Sequence, residues 1–199
     1  MDELILESEQ ELMEFAYRLG QPISSRRNGP IIDELLPLTK VDAHPQSLSV
    51  NFGTNSFPFH TDGAYFKIPP RFIILRYVQG VPSPTPTLLC DLSMLNETEK
   101  LELQYGIWKV KSRTSTFYSS ILSDDAKCLR YDPCIMSPIN EKNDNSIFFE
   151  QVVASRSTIQ VNWQVNKAVV IDNWRYLHTR PKVKEEEIRF RKLQRIMVL

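Results

Sequence analysis

Residues 57–66, FPFHTDGAYF, set an imidazole and a carboxylate two positions apart inside an apolar run: His60 and Asp62. On a strand, residues i and i+2 point to one face, so these side chains can converge on one point while Thr61 turns away. That is ligand geometry for a metal ion, and it demands a third ligand. The chain has three histidines, which leaves His44 and His178. His178 is the better candidate, because KAVVIDNWRYLHTR runs from an apolar strand into a polar turn, where a side chain can be aimed across a barrel mouth. His44 precedes a proline and reads as a loop residue.

Two imidazoles and one carboxylate on one side of a metal leave its other side open, the arrangement of non-haem Fe(II) oxygenases, with zinc as the competing ion. The end of the chain bears on that choice. In RFRKLQRIMVL, strand alternation puts Arg189, Arg191, Leu193, Arg195 and Met197 on one face, and Phe190, Lys192, Gln194, Ile196 and Val198 on the other. Arginines facing a barrel interior need an anionic partner. A dicarboxylate would provide one, since a guanidinium matches a carboxylate with two parallel hydrogen bonds, and 2-oxoglutarate is the cosubstrate of that shape. The bland alternative is that Arg191 and Arg195 are solvated charges protecting an edge strand.

The elements that must position these residues read as mainly β. QSLSVNF, RFIILRYVQG, TLLCDL, IWKVKS, STIQVNWQV, KAVVIDN and RFRKLQRIMVL are short, β-branched or aromatic, and separated by Pro, Asn, Asp or Ser clusters. Many short strands indicate a sandwich or barrel. Thirteen prolines, as in VPSPTPT and DPCIMSP, suit loops over a β core. Three helices flank it. Ser8 with Glu11 makes a capping box ahead of the stripe Leu12, Phe15, Ala16 and Leu19, with Gly20 as the stop. A second helix starts at Asn96, with Glu99 three residues on, and ends at Gly106; NSIFFEQVVASR is the third.

The 199 residues, 42% hydrophobic, suit one domain spanning residues 1–199 with a core large enough for a ligand cavity. Lys plus Arg equals Asp plus Glu at 24 each, so charge gives no reason to invoke nucleic acid or an anionic membrane, and a small molecule is the expected partner. The acidic start MDELILESEQELMEF is unlike a secretory signal and no apolar run spans a bilayer, so the cytoplasm is the expected location. Cys90, Cys128 and Cys134 lack CxxC spacing and read as reduced, packed thiols.

From about Leu48 to the C-terminus the chain resembles the taurine dioxygenase type (TauD/TfdA) of Fe(II)/2-oxoglutarate-dependent dioxygenases. The resemblance rests on FHTDGAYFKIPPRFIILRYV, TLLCDL, VVIDNWRYLHTR and the terminal RKLQR, in the family's order and at similar spacing. It implies a double-stranded β-helix, the cupin-like jelly roll, with flanking helices. It implies His60, Asp62 and His178 as iron ligands and Arg191 as the anchor of the 2-oxoglutarate C5 carboxylate. Arg195 falls on the arginine that reaches the cosubstrate or an acidic substrate group, and Thr87 on the cosubstrate threonine. Relatives carry Gly-Gly-acidic-Thr where this chain has SPTPT, and Pro-Gly-Asp where it has VNK.

The activity implied is dioxygenation: O2 and 2-oxoglutarate are consumed, succinate and CO2 are released, and an unactivated carbon of a small molecule, such as an amino acid or specialised metabolite, is oxidised. Halogenating relatives lack the carboxylate that Asp62 supplies, so hydroxylation, desaturation or cyclisation is expected. Asn51, Asn55, Phe57, Phe59 and Arg130 are the candidate substrate contacts, Arg130 for a substrate carboxylate. A homodimer is one expected assembly, and the 182–189 segment KVKEEEIR is a candidate lid. A zinc hydrolase using the same triad and a catalytically silent jelly-roll binding protein are the competing readings.

Overall fold

The computed structural model describes residues 1–44, 47–81, 84–113 and 115–199. In chain order the elements are β1 (Asp2–Ile5), α1 (Glu9–Leu19), β2 (Pro22–Ile23), β3 (Asp33–Leu35), α2 (Ser49–Phe52), β4 (Phe72–Gln79) and β5 (Thr87–Asp91). They continue with α3 (Glu97–Tyr105), β6 (Trp108–Lys111), β7 (Thr116–Ser119), β8 (Met136–Pro138) and α4 (Ser146–Ala154). Strands β9 (Thr158–Val161), β10 (Lys167–Asp172), β11 (Tyr176–Thr179) and β12 (Lys192–Val198) complete the chain.

The large sheet has the order β1-β10-β4-β12-β2, with β3 also pairing β12; a second sheet is β11-β5-β9, and a third is β7-β6-β8. Every pairing is antiparallel. Period-two alternation sorts the large sheet into two buried faces. Ile73, Leu75 and Tyr77 of β4, Val169 and Ile171 of β10, and Leu193 and Met197 of β12 cluster with Leu89, Val161 and Tyr176 of the second sheet. That shared interior is the space between the sheets. The opposite face, Ile74, Ala168, Ile196 and Val198, packs on Leu12 and Ala16 of α1. Truncating fully buried Leu12 to Ala would cost about 2–5 kcal/mol.

α1 forms as its signals indicate: Ser8 accepts from the Glu11 amide at 3.1 Å, and Glu11 reaches back to the Glu7 amide at 2.8 Å. Gly20 ends the helix where the chain passes the C-terminal strand; a Cβ there would lie 2.2 Å from the Leu199 carbonyl oxygen. α3 carries the full capping box of Asn96 and Glu99. A third apolar cluster, with Trp108, Tyr131, Phe149, Cys90 and Leu177, joins the outer side of β5 and β11 to the third sheet, α3 and α4.

Three local expectations are corrected. QSLSVNF is not a strand: Ser49–Phe52 is a single helical turn closed by the Gly53 amide on the Ser49 carbonyl, and Gln46 lies outside the described residues. A run this short has no second strand to pair with before Gly53 redirects the chain, so the local turn prevails. RFRKLQRIMVL becomes a strand only from Lys192, so Arg189 and Arg191 precede the ladder, and the register shift between Lys192 and Leu193 skips Val78 of β4. Neither face of β12 is wet, because α1 covers the side of Ile196 and Val198, and Gln194 is held there by Arg76 and Glu9.

Within VNK, Asn166 adopts φ 66, the left-handed position that Asn tolerates in place of Gly. No helix among the described residues is long and apolar enough to cross a membrane.

Candidate metal centre

The His60–Asp62 segment is not a strand with two side chains on one face. His60 makes an isolated antiparallel bridge to His178, its amide donating to the His178 carbonyl at 3.1 Å and its carbonyl accepting from the His178 amide at 2.9 Å. Asp62 lies in the turn that follows. Convergence is achieved by three separate clamps. The bridge fixes His60 to β11. The Thr61 amide donates to the Tyr131 carbonyl at 2.7 Å, and the Tyr131 amide returns a bond to the Thr61 hydroxyl at 3.0 Å. The Asn173 side chain grips the Asp62 backbone on both sides, accepting from its amide and donating to its carbonyl, each at 2.9 Å. Gly63, at φ 67, then turns the chain away, and a Cβ there would lie 2.6 Å from the Pro70 Cδ.

His178 arrives on β11, paired with Leu89 of β5 and on the same inward face as Tyr176. Ligand atoms of His60, Asp62 and His178 all lie within 4.8 Å of one another, and all three residues are buried. The His60 and His178 ring centroids are 4.3 Å apart, and His178 Nε2 is 3.6 Å from Asp62 Oδ2.

The electrostatics prepare each group as a ligand. His60 Nδ1 lies 3.0 Å from the Pro58 carbonyl; the tautomer that donates this bond leaves the Nε2 lone pair free. Burial, reinforced by His60 and opposed by Asp62, holds His178 down at about 3, so its ring is neutral. Burial alone would raise Asp62, but Arg195, His178 and His60 together keep its carboxyl below the usual range, so it is ionised. A neutral, partnerless His178 Nδ1 and an ionised carboxylate form a donor set suited to one divalent ion.

Arg195 stands beside this group. It lies on the inward face of β12, opposite Leu75 of β4 and Asp33 of β3. Its Nη1 donates to Asp62 Oδ1 at 2.6 Å and its Nη2 to Asp33 Oδ2 at 2.9 Å, while the Ser25 hydroxyl donates to Asp33 Oδ1 at 3.0 Å. Asp132 is close by: burial pushes its carboxyl up while His60 pulls it down. Composition and spacing gave no sign of Asn173, Asp33 or Asp132; only the acidic and amide residue types, common in loops, were visible.

Arg191 belongs to a second group. It is 5% exposed and contacts Glu187 and the Thr85 carbonyl. The Thr87 hydroxyl accepts from Trp163 Nε1 at 3.2 Å, and Trp163 stacks on Tyr77 at 6.2 Å, a neighbour of Arg191. Pro82 and Ser83, in and beside the SPTPT turn, lie outside the described residues.

The candidate substrate contacts are scattered. Arg130 spends its guanidinium on backbone carbonyls of Ala64, Phe66 and Lys67, so it braces the turn after Asp62 rather than facing a ligand. Asn51 is exposed on α2 beside Cys134, and Asn55 is exposed with its carbonyl accepting from Arg180 at 2.9 Å. Phe57 lies under the Arg180 guanidinium at 3.9 Å, and Phe59 packs on the cluster of Tyr131 and Phe149.

Solved structures share this architecture. An asparagine oxygenase in complex with Fe(II), 2S,3S-3-hydroxyasparagine and succinate superposes with a TM-score of 0.75 at 18% identity, over 94% of this chain and 63% of that one. The non-heme iron oxygenase OrfP in complex with Fe and alpha-ketoglutaric acid gives 0.73 at 21% identity, over 96% and 63%. Its complex with Fe, succinate and (3S)-hydroxy-L-Arg gives 0.74 at 20%, over 96% and 64%. The fold is that of the non-heme iron oxygenases. It is the jelly roll that the resemblance implies, and it agrees with the sandwich or barrel expected from the strand pattern. This chain spans under two thirds of the length of those chains. No protein-family model and no curated protein matches it in sequence.

Proposed function

We propose that this chain is an Fe(II)/2-oxoglutarate-dependent dioxygenase domain of the TauD/TfdA type, oxidising a carbon of a small amino acid or amino-acid derivative. The observation that carries the reading is the convergence of His60, Asp62 and His178 within 4.8 Å, with His178 held neutral and Asp62 ionised. His60 through Nε2, Asp62 through a carboxylate oxygen and His178 would hold the iron. When bound, iron with 2-oxoglutarate and O2 supplies oxidative decarboxylation to succinate and CO2, coupled to oxidation of an unactivated carbon.

The chain's own residues bind, orient and exclude water. Asn173 and Thr61 fix the backbone around Asp62, and Arg195 holds the Asp62 carboxylate in one orientation. Arg191 is the buried cation assigned to the distal carboxylate of 2-oxoglutarate, with Thr87 on the strand nearby. Both terminal nitrogens of Arg195 are engaged by Asp62 and Asp33, which favours a holding role for it over the cosubstrate contact expected from the resemblance.

An amino-acid substrate is supported by two points. The asparagine oxygenase and OrfP were captured with hydroxylated asparagine and arginine, which also favours hydroxylation among the oxidations open to such a site. Asp132 adds a carboxylate beside His60, complementary to a substrate ammonium or guanidinium.

The test is a panel of free amino acids incubated with the Fe(II)-loaded protein, 2-oxoglutarate and O2, reading succinate. Substrate-stimulated succinate that disappears in His60→Ala supports the reading. Zinc retained through purification, with ester or amide hydrolysis and no succinate, would replace it by the hydrolase.

A further inference from the structure

Glu187 lies in the single turn 185–187, whose other two glutamates are solvent-exposed, yet its own side chain is fully buried. A carboxylate taken out of water needs an equivalent set of partners inside the protein. Thr85 supplies two: its amide donates to Glu187 Oε1 at 2.7 Å and its hydroxyl at 2.5 Å. Glu187 Oε2 lies 3.4 Å from Arg191 Nε, one helical turn along the chain, and neither atom has another partner. Arg191 Nη2 donates to the Thr85 carbonyl at 3.2 Å. The three residues therefore close a ring in which Thr85 bonds to both charged side chains.

We propose that Glu187 is a positioning residue for Arg191: with Thr85 it holds the guanidinium by its Nε and Nη2 edges and presents the remaining Nη1 end to the distal carboxylate of the cosubstrate. The role rests on the function proposed above. The geometry separates it from a plug that a ligand must displace, because Glu187 is anchored by two bonds from Thr85 and not by Arg191 alone. The charge count agrees. Arg180, half-buried nearby, is brought down to about 10 by burial and by Arg191, with Glu187 opposing. One buried and one half-buried guanidinium against one carboxylate leave a single positive excess, which suits one carboxylate from a ligand.

Fe(II)-loaded protein under anaerobic conditions is titrated with 2-oxoglutarate, following the visible band of the iron chelate, with Fe(II) affinity measured separately. Glu187→Gln is expected to raise the 2-oxoglutarate Kd by about tenfold while Fe(II) affinity stays as in the wild type. In succinate formation, KM for 2-oxoglutarate should rise more than kcat falls. Thr85→Val, which removes one donor and no charge, should raise Kd by about threefold, and Glu187→Asp should recover part of the loss. Unchanged or tighter 2-oxoglutarate binding in Glu187→Gln overturns the role; if that variant does not fold, unchanged binding in Thr85→Val does so. A wild type that gives no band at all removes the proposed function itself, a result distinct from equal bands in wild type and variants.

Discussion

Arg195 Nη1 donates to Asp62 Oδ1 at 2.6 Å, so a carboxylate of the candidate metal site is tied to the far strand β12 by one charge-assisted bond. The same guanidinium reaches Asp33 of β3 at 2.9 Å. One cation thus balances two carboxylates that are each about 7% exposed. Breaking a buried ion pair from one side leaves charge without compensation, the costly case. Arg195→Ala is expected to lower unfolding stability by about 3 kcal/mol. A divalent ion at the triad would restore part of that balance, so Mn(II) should stabilise Arg195→Ala more than it stabilises the wild type. Paired thermal melts with and without metal check this; equal metal-induced shifts would contradict it.

Asn173 is fully buried and bonds the Asp62 amide, the Asp62 carbonyl and the Pro70 carbonyl. Asn173→Ala leaves three buried backbone groups unpaired, at a cost of about 1–3 kcal/mol for the first of them. With Asp62 loosened, Fe(II) affinity should fall by about tenfold. Chemical unfolding and a competitive chelator titration measure the two effects. Full metal affinity in a folded Asn173→Ala would show that the clamp does not orient the ligand.

Arg130 braces the turn that follows Asp62 through carbonyls of Ala64, Phe66 and Lys67, and its guanidinium stacks over Phe117 at 5.0 Å. Arg130→Ala is expected to cost about 2–3 kcal/mol, since hydrogen bonds from a charged donor are the stronger kind. The effect should appear as lost stability in metal-free protein before any ligand is added. A variant of wild-type stability with selectively weakened substrate binding would return Arg130 to the substrate contact.

Asp91 is forked by Arg175, Nε at 3.0 Å and Nη2 at 2.6 Å. Burial acts to raise its carboxyl, but the Arg175 and Ser93 bonds outweigh it and hold the group well below the usual carboxylate range. A depressed folded pKa means the stabilisation is complete above the unfolded value, about 3.9, and is lost as pH falls below it. Melting temperatures between about pH 5 and pH 3 should therefore fall less steeply in Asp91→Asn than in the wild type. Parallel slopes would contradict the assignment.

The candidate site was legible in part because two of its candidate ligands share one tripeptide and the third follows an apolar strand. His60, Asp62 and His178 could be paired from residue type and order alone. Their holders were not: Asn173 meets Asp62 across 111 residues, Arg195 meets it across 133, and Thr85 meets Glu187 across 102. Such contacts depend on strand order, which local pattern does not encode. β4, β5 and β10 were readable because β-branched runs bounded by turns have one stable use. SVNF was misread as strand because its composition suits a pleat while its position, just before Gly53, allows only one turn. The neighbours of Arg191 were equally hidden, since its guanidinium meets the Thr85 carbonyl across 106 residues.

The central claim is that His60, Asp62 and His178 hold iron for a 2-oxoglutarate-dependent oxidation. Anaerobic titration of the metal-free protein with Fe(II), then with 2-oxoglutarate, tests it most directly. The expected result is a weak visible charge-transfer band that saturates at one equivalent each of iron and 2-oxoglutarate, is lost in His178→Ala, and needs about tenfold more 2-oxoglutarate in Arg191→Ala. No band, or a band indifferent to both substitutions, would contradict the account.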